Sequence, residues 1–264
     1  MIKKIGYFGD ESSHTYACAI ERYRGNEMVG FATIASAVDA VSRGKIDGAV
    51  IPIENSVGGT VSETLDALKE SSVYITALYS LKISHSLIAI AGTKKEDIRR
   101  IYSHHQALSQ CQQYLLKEFP TASLYPVKST SEALEMLSEQ GEAAIARLPL
   151  PGQMVLQSGI EDSKTNETRF VFIEREPSYQ DGKKVSIMFD TENRPGALLE
   201  MLTVLKDLDL NMSKLESRPA HDGFRYWFYV EFDCNENADG VQKILDKMAS
   251  CGATIKFLGS YKQQ

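Results

Sequence analysis

The 264-residue chain predicts an α/β protein in two parts: an α/β layer with mostly parallel strands, then a smaller β-α-β-β-α-β unit. Three observations carry this. From Ile5 to about Ala146, short apolar runs alternate with helical patterns. At "REPSYQDGKK", Arg175–Lys184, the composition turns to Pro, Gly and charge with few apolar residues, which is linker chemistry and places a boundary near residue 180. Beyond it, the strand and helix signals come in the order of a single known supersecondary plan.

In the first part, Ile2–Phe8 reads as a strand and Thr15–Tyr23 as a helix. Ile34–Arg43 is helical, and "GAVIPI", Gly48–Ile53, is a buried strand. Val61–Lys69 is a helix and "HSLIAI", His85–Ile90, a strand. Arg100–Ser103 is a strand, Gln106–Lys117 and Ala133–Gln140 are helices, and "AAIA", Ala143–Ala146, is a strand. A polar run, Asp162–Arg169, then turns abruptly into the apolar strand Phe170–Ile173. In the second part the order is strand Val185–Asp190, helix Ala197–Asp207, strand Met212–Arg218, strand Arg225–Asp233, helix Ala238–Ala249 and strand Ala253–Leu258, a ferredoxin-like plan. "FRYWFYVEF" is too aromatic for a loop and suits a strand packed on both sides.

A net charge of −6 argues against nucleic acid or an anionic membrane surface as partner. No apolar run approaches the ~18 residues of a membrane span, and "MIKKIGYFGD" has no apolar signal core. Cys18, Cys111, Cys234 and Cys251 are scattered with no C-x-x-C pair, as expected of free thiols in a reducing cytoplasm. The usual zinc, nucleotide and dinucleotide motifs are absent, so no metal and no cofactor is expected. These features together predict a soluble, cytoplasmic chain.

Ligands of open α/β sheets collect beyond the carboxyl ends of strands, near helix N-termini. Three such places stand out. "IPIENSVGGTVSETL" sets Glu54, Asn55 and Ser56, two glycines and Thr60 between a strand and a helix, either as a ligand-facing turn or as a plain capped one. "YSHHQALSQC" sets Ser103, two histidines and Gln110 at a helix start, where adjacent histidines cannot both point one way. "VKSTSEALEML" carries Ser129-x-x-Glu132, a capping box first of all. Together they describe a site of backbone amides, hydroxyls and side-chain amides for a small anionic or zwitterionic ligand. No Ser or Cys comes with an obvious His and Asp partner.

"IPIENSVGGTV", "SHHQALSQC" and "NETRF", in this order, resemble the prephenate dehydratase family, and the second part resembles the ACT regulatory domain, with "RPGALLEML" and "LESRP". The resemblance covers nearly the whole chain. It implies a catalytic domain over 1–177, built like a type II periplasmic binding protein, with lobe one at about 1–79 plus 161–177 and lobe two at about 81–158. An ACT domain would follow over 184–262. It implies conversion of prephenate to phenylpyruvate with loss of CO₂ and water, inhibited by phenylalanine. By the same resemblance Thr168 stands at the leaving hydroxyl, with Arg169 as a carboxylate partner, of substrate or of Glu54 as a support, and Phe170 as an apolar wall. Asn55, Ser56, Thr60, Ser103, Gln110 and Asn166 would contact substrate. Gly196, Ala197, Leu198, Glu216, Ser217, Arg218 and Pro219 would bind the effector. A homodimer or dimer of dimers is the expected assembly, and the chain reads as monofunctional.

Two stretches depart from the family pattern. The first loop, "GDESSHTY", Gly9–Tyr16, has Asp10 where the family has proline and Ser12 where it has glycine. Its two carboxylates, Asp10 and Glu11, would face solvent or meet an ammonium, which keeps arogenate dehydratase open as an alternative; His14 is a candidate titrating group. "ARLPLPGQMVLQ" has two prolines where the family has a helix, so a full helix is not expected there. A non-catalytic, two-lobed sensor of a small acid is the reading from another class.

Overall fold

The computed structural model describes residues 2–177, 184–220 and 225–263; the expected boundary near residue 180 lies outside the described residues, as does all of the linker except its ends. Strands β1 (Lys4–Phe8), β2 (Glu27–Phe31) and β3 (Gly48–Asn55) pair in parallel, joined by helices α1 (His14–Arg22) and α2 (Ile34–Ser42). Both helices begin on side-chain caps: Ser13 Oγ accepts from Tyr16 N, and Thr33 and Ser36 form a capping box. A short β4 (Gly59–Thr60) folds back on β3 before α3 (Ser62–Glu70) and β5 (Tyr74–Lys82).

The chain then builds a second sheet from β6 (Ser86–Ile90), β7 (Arg100–His104), helices α4 (His105–Gln110) and α5 (Gln112–Glu118), β8 (Ser123–Val127), α6 (Thr130–Glu135), β9 (Glu142–Ala146) and β10 (Gln153–Ser158). Its order is β10-β6-β9-β7-β8, with β7 parallel to β8 and β9. Strand β11 (Glu167–Glu174) returns to the first sheet and lies antiparallel between β3 and β5. Parallel sets are thus closed by antiparallel strands (β11, and β6 with β10), so the layer is more mixed than expected. The expected helix 106–117 is broken at fully buried Cys111, and α6 starts three residues earlier than expected, on the Ser129 cap. The proline stretch leads not into a helix but into β10.

The second part has β12 (Lys184–Asp190), α7 (Ala197–Asp207), β13 (Met212–Pro219), β14 (Tyr226–Asp233), α8 (Ala238–Ala249) and β15 (Thr254–Gln263), in the expected order. Its sheet runs β13-β14-β12-β15, antiparallel throughout. Alternation along the strands covers both faces. Val185, Ile187, Phe189, Val230 and Phe232 pack on α7 and α8. Met188, Trp227, Tyr229 and Tyr261 pack into a core with Val171 and Ile173 of β11 and Leu65 and Leu68 of α3. The aromatic strand is therefore packed on both sides, as its composition predicts. The sheet does not stop at β15: its last residues pair in parallel with β5, Lys262 opposite Ala77, giving one ten-stranded sheet among the described residues. Gly259 makes the crossing possible, because its φ of +152° brings the backbone so near that a Cβ would overlap the Ile75 carbonyl oxygen. No helix among the described residues is long and apolar enough to cross a membrane.

Candidate active site

Strand β3 ends in Asn55 directly opposite Thr168 at the start of β11. The loop after β3 turns its backbone inward, so that Asn55 Oδ1 accepts from Val57 N at 3.0 Å and from Gly58 N at 2.7 Å. Two N–H donors on that atom identify it as the carbonyl oxygen, which leaves the Asn55 amide nitrogen to donate. It donates to Thr168 Oγ1 at 2.9 Å and to Asn166 Oδ1 at 2.8 Å. Thr168 Oγ1 therefore accepts from the protein, and its own hydrogen is left for another acceptor. Asn166 Nδ2 is buried and has no partner, a second donor in the same place. A chain of dipoles from backbone N–H through Asn55 to the Thr168 hydroxyl is a preorganised donor.

The second sheet approaches this loop. Gly58 lies so near α4 that a Cβ on it would stand 2.9 Å from Gln106 Nε2. His104 caps α4 weakly, accepting from Gln106 N at 3.4 Å. Gln110 Oε1 meets His85 Nε2 at 2.8 Å, and the His85 ring lies edge-on to His14 at 5.8 Å. Burial, reinforced by the neighbouring His85 and Arg147, pushes His14 down to about 3; burial lowers His85 as well, against Gln110 and Glu161. His14 is therefore neutral at pH 7 and does not titrate near neutrality.

The departing first loop bridges the two sheets. Asp10 accepts from Ser12 N at 2.8 Å, from Ser12 Oγ at 2.7 Å and from Ser131 Oγ of α6. Arg147, just beyond β9, donates to the carbonyls of Ser12 and Glu11 at 3.1 and 3.2 Å. Burial would raise the Asp10 carboxyl, but the bonds from Ser131 and Ser12 outweigh it and hold it low. Asp10 is thus an exposed carboxylate that also latches the loop to α6.

Other expected site residues are occupied differently. Ser103 is fully buried and donates to the Ile145 carbonyl at 2.6 Å, tying β7 to β9. Phe170 is 1% exposed, in a core cluster with Tyr7 and Tyr79, so its ring is packing rather than an open wall. Ser56 is exposed, accepting from Glu167 N and donating to the Thr165 carbonyl. Arg169 lies on the face of β11 opposite Thr168 and gives one nitrogen to Glu54 at 2.7 Å and another to Glu231 of β14 at 2.8 Å. Burial alone would lower the guanidinium; Glu231 and Glu54 raise it instead. Burial would likewise raise Glu54, but Lys214 and Arg169 hold it low. Of the two carboxylate partners considered for Arg169, Glu54 pairs with it here, while Glu231 and Lys214 were not anticipated.

The expected effector residues divide. Gly196 starts α7 at φ +87°, and Ala197 and Leu198 line a cavity of about 140 Å³ with Arg194, Tyr226 and Phe228. Glu216 instead accepts from Thr60 Oγ1 at 2.9 Å, and Arg218 reaches Asp66 at 2.7 Å and Ser62 at 2.9 Å on α3. Ser217 and Pro219 alternate with them and are exposed. A cavity of about 670 Å³ lies between the end of α3 and this sheet, lined by Lys69, Asp190, Trp227 and Lys256 among others and by none of the residues around Thr168. All four cysteines are free, and burial pushes the Cys18 and Cys111 thiols up to about 12, which removes them as nucleophiles. Among the described residues no cluster could hold a metal ion.

Residues 5–178 match the family model for prephenate dehydratase and residues 185–253 that for the ACT domain. A prephenate dehydratase of Lactococcus lactis subsp. cremoris is 33% identical, covering 98% of this chain and 97% of that one. A bifunctional chorismate mutase/prephenate dehydratase of Pseudomonas aeruginosa is 34% identical over 98% of this chain and 73% of its own length. The crystal structure of a prephenate dehydratase from Arthrobacter aurescens in complex with L-Phe superposes with a TM-score of 0.89 at 29% identity, covering 98% of this chain and 90% of that one. The hydroxyl donor at Thr168, the two-sheet layout and the C-terminal ferredoxin-like unit thus occur together in a chain that belongs to the prephenate dehydratase family and carries an ACT domain.

Proposed function

We propose that the chain converts prephenate to phenylpyruvate, CO₂ and water, as a decarboxylating hydro-lyase, and that phenylalanine inhibits it. The observation that carries this is the donor chain from Val57 and Gly58 N–H through Asn55 to Thr168. In the reaction the bond from the ring to its carboxylate breaks and releases CO₂. The electron pair enters the ring, and the bond to the para hydroxyl breaks. The product ring is aromatic, so only the departure of hydroxide needs help. Thr168 donates a hydrogen bond to that oxygen as charge develops on it, and the departing hydroxide leaves as water by taking up the one proton that the net reaction consumes from solvent. A donor of this kind is worth roughly 10²–10³ in rate, about 2.7–4 kcal/mol. Asn55 aims Thr168, and Asn166 Nδ2 supplies a further uncharged donor. With Arg169 held by two carboxylates, the substrate carboxylates are met by uncharged donors, which avoids over-stabilising the one that leaves.

Prephenate is favoured over arogenate because Asp10, one of the two loop carboxylates that could meet an ammonium, already accepts from Ser12 and Ser131. The division into a catalytic part, 1–177, with two lobes, and an ACT part, 184–262, belongs to this reading, as do a cytoplasmic location and a homodimer or dimer of dimers. Gly196, Ala197 and Leu198, with exposed Ser217 and Pro219, are the groups offered to phenylalanine. Phenylpyruvate formation from prephenate by the purified chain, with and without phenylalanine, tests the proposal. Turnover suppressed by phenylalanine is the expected result, and a folded sample without turnover refutes it.

A further inference from the structure

Two neighbouring cross-strand pairs of β11 and β3 face opposite ways. Thr168 and Asn55 carry the donor chain, and Arg169 and Glu54, one step along, face the regulatory sheet. Three side chains of that sheet grip this window. Glu231 of β14, with a fully buried carboxylate, pairs with Arg169 at 2.8 Å. The side chain of Lys214 of β13 is 8% exposed and pairs with Glu54 at 2.7 Å. Glu216, two residues along β13, accepts from Thr60. Glu54 and Thr60 are themselves partners across the β3–β4 hairpin, whose turn supplies the Val57 and Gly58 amides to Asn55. The regulatory strands therefore hold both ends of the turn that aims Asn55, and the backbone next to Thr168.

We propose that Lys214, Glu216 and Glu231 are positioning residues for the dehydration: the regulatory unit is part of the active site's construction, and phenylalanine acts by moving the strands that carry them. This rests on the functional reading above. The four charges Lys214, Glu54, Arg169 and Glu231 alternate in sign and sum to zero, so a shift of any one leaves a partly buried charge unmatched. Glu231 is fixed from behind: its other oxygen accepts from Tyr229 at 2.7 Å, and Tyr229 and Tyr261 share the Ser186 hydroxyl at 3.0 and 2.5 Å. On the catalytic side the ladder has a bulge between Arg169 and Phe170, where the backbone is able to adjust. The exposed face of β13 at Ser217 and Pro219, and Tyr226 and Phe228 of β14 at the cavity beside α7, put the effector groups on the same two strands. None of the three positioning residues needs to touch substrate.

The test uses the full-length chain with Lys214→Gln, Glu216→Gln and Glu231→Gln, measuring kcat, KM, the phenylalanine concentration for half-inhibition, and urea unfolding. Each variant should lose roughly tenfold to a hundredfold in kcat, the worth of one charge-assisted hydrogen bond. KM should stay within about threefold, because ground-state binding is untouched, and the half-inhibition point should shift. Glu231→Asp, which keeps the charge, should recover part of the kcat lost in Glu231→Gln. Should Glu231→Gln not fold, the two β13 variants decide, since they leave the Arg169–Glu231 pair in place. Folded variants with wild-type kcat and inhibition, or with a change in KM alone, overturn the inference. Unfolding of all of them reduces the contacts to scaffolding and overturns it too. A wild-type chain without prephenate turnover overturns the functional reading and this inference with it, whereas an active wild type with indifferent variants overturns only the inference.

Discussion

Replacing Thr168 with valine removes one hydroxyl and nearly conserves volume. In the ground state the loss is small: Asn55 Nδ2 gives up its 2.9 Å bond to Thr168 but keeps Asn166 Oδ1 at 2.8 Å and the Glu167 carbonyl at 3.2 Å. The chain should therefore lose only about 1 kcal/mol of stability, the net worth of an ordinary hydrogen bond. In the proposed transition state the same hydroxyl is the donor to departing hydroxide, and kcat should fall by roughly 10²–10³. Asn55→Ala leaves the hydroxyl in place but unaimed, and should cost kcat about tenfold. The two effects should not add. Once Thr168 is valine, Asn55 has nothing to aim, so a coupling energy of about 1–2 kcal/mol is expected in the double-mutant cycle. The assay is initial-rate phenylpyruvate formation at saturating prephenate for the four proteins, with urea unfolding alongside. Strict additivity would refute the aiming role of Asn55. Thr168→Val within about threefold of wild-type kcat would remove the hydroxyl from the mechanism altogether.

Gly259→Ala should destabilise the chain by about 2–4 kcal/mol, because its Cβ would overlap the Ile75 carbonyl oxygen where β15 crosses to β5; thermal unfolding reads this directly. Asp10→Ala should raise KM for prephenate several-fold with a smaller change in kcat, since the latch to Ser131 holds the two sheets together around the site; steady-state kinetics check the split. The unfolded chain takes up a proton on His14 near 6.5, while the folded chain resists until about 3. The unfolded state thus binds more protons throughout that window, so stability is full above about 6.5 and falls as the pH drops. Urea midpoints between pH 8 and 5 should show this slope, and His14→Phe should flatten it.

The elements that were legible in the sequence are those buried on both faces or bounded by strong caps. "GAVIPI" and "EAAIA" are nearly continuous apolar runs because helices or strands cover both sides, and the second part follows its plan strand by strand. The strands that were missed lie largely where burial does not write a pattern. β8 is exposed at four of its five positions, and β2 and β10 are edge strands with little alternation. β5 is buried yet mixed in composition, because it is completed by two partners from distant sequence, β11 and β15. The break at Cys111 has no Pro or Gly to announce it and follows from tertiary packing of a fully buried thiol.

The same contrast runs through the site. Asn55, Asn166 and Thr168 sit in local motifs and converge at the ends of two paired strands. Glu231 and Lys214 carry no motif and come from strands more than forty residues further along the chain, so no local pattern points to them. One signal was nonetheless present in "FRYWFYVEF". A strand this aromatic, packed on both sides, has no water to offer a carboxylate, and a buried carboxylate needs a cationic partner. Alternation puts Glu231 on the face of Trp227 and Tyr229, the face that packs against β11, where the available cation is Arg169. Glu231 could have been traced to the catalytic strand by that reasoning, because in a strand with no polar face a lone acid reports what lies opposite it.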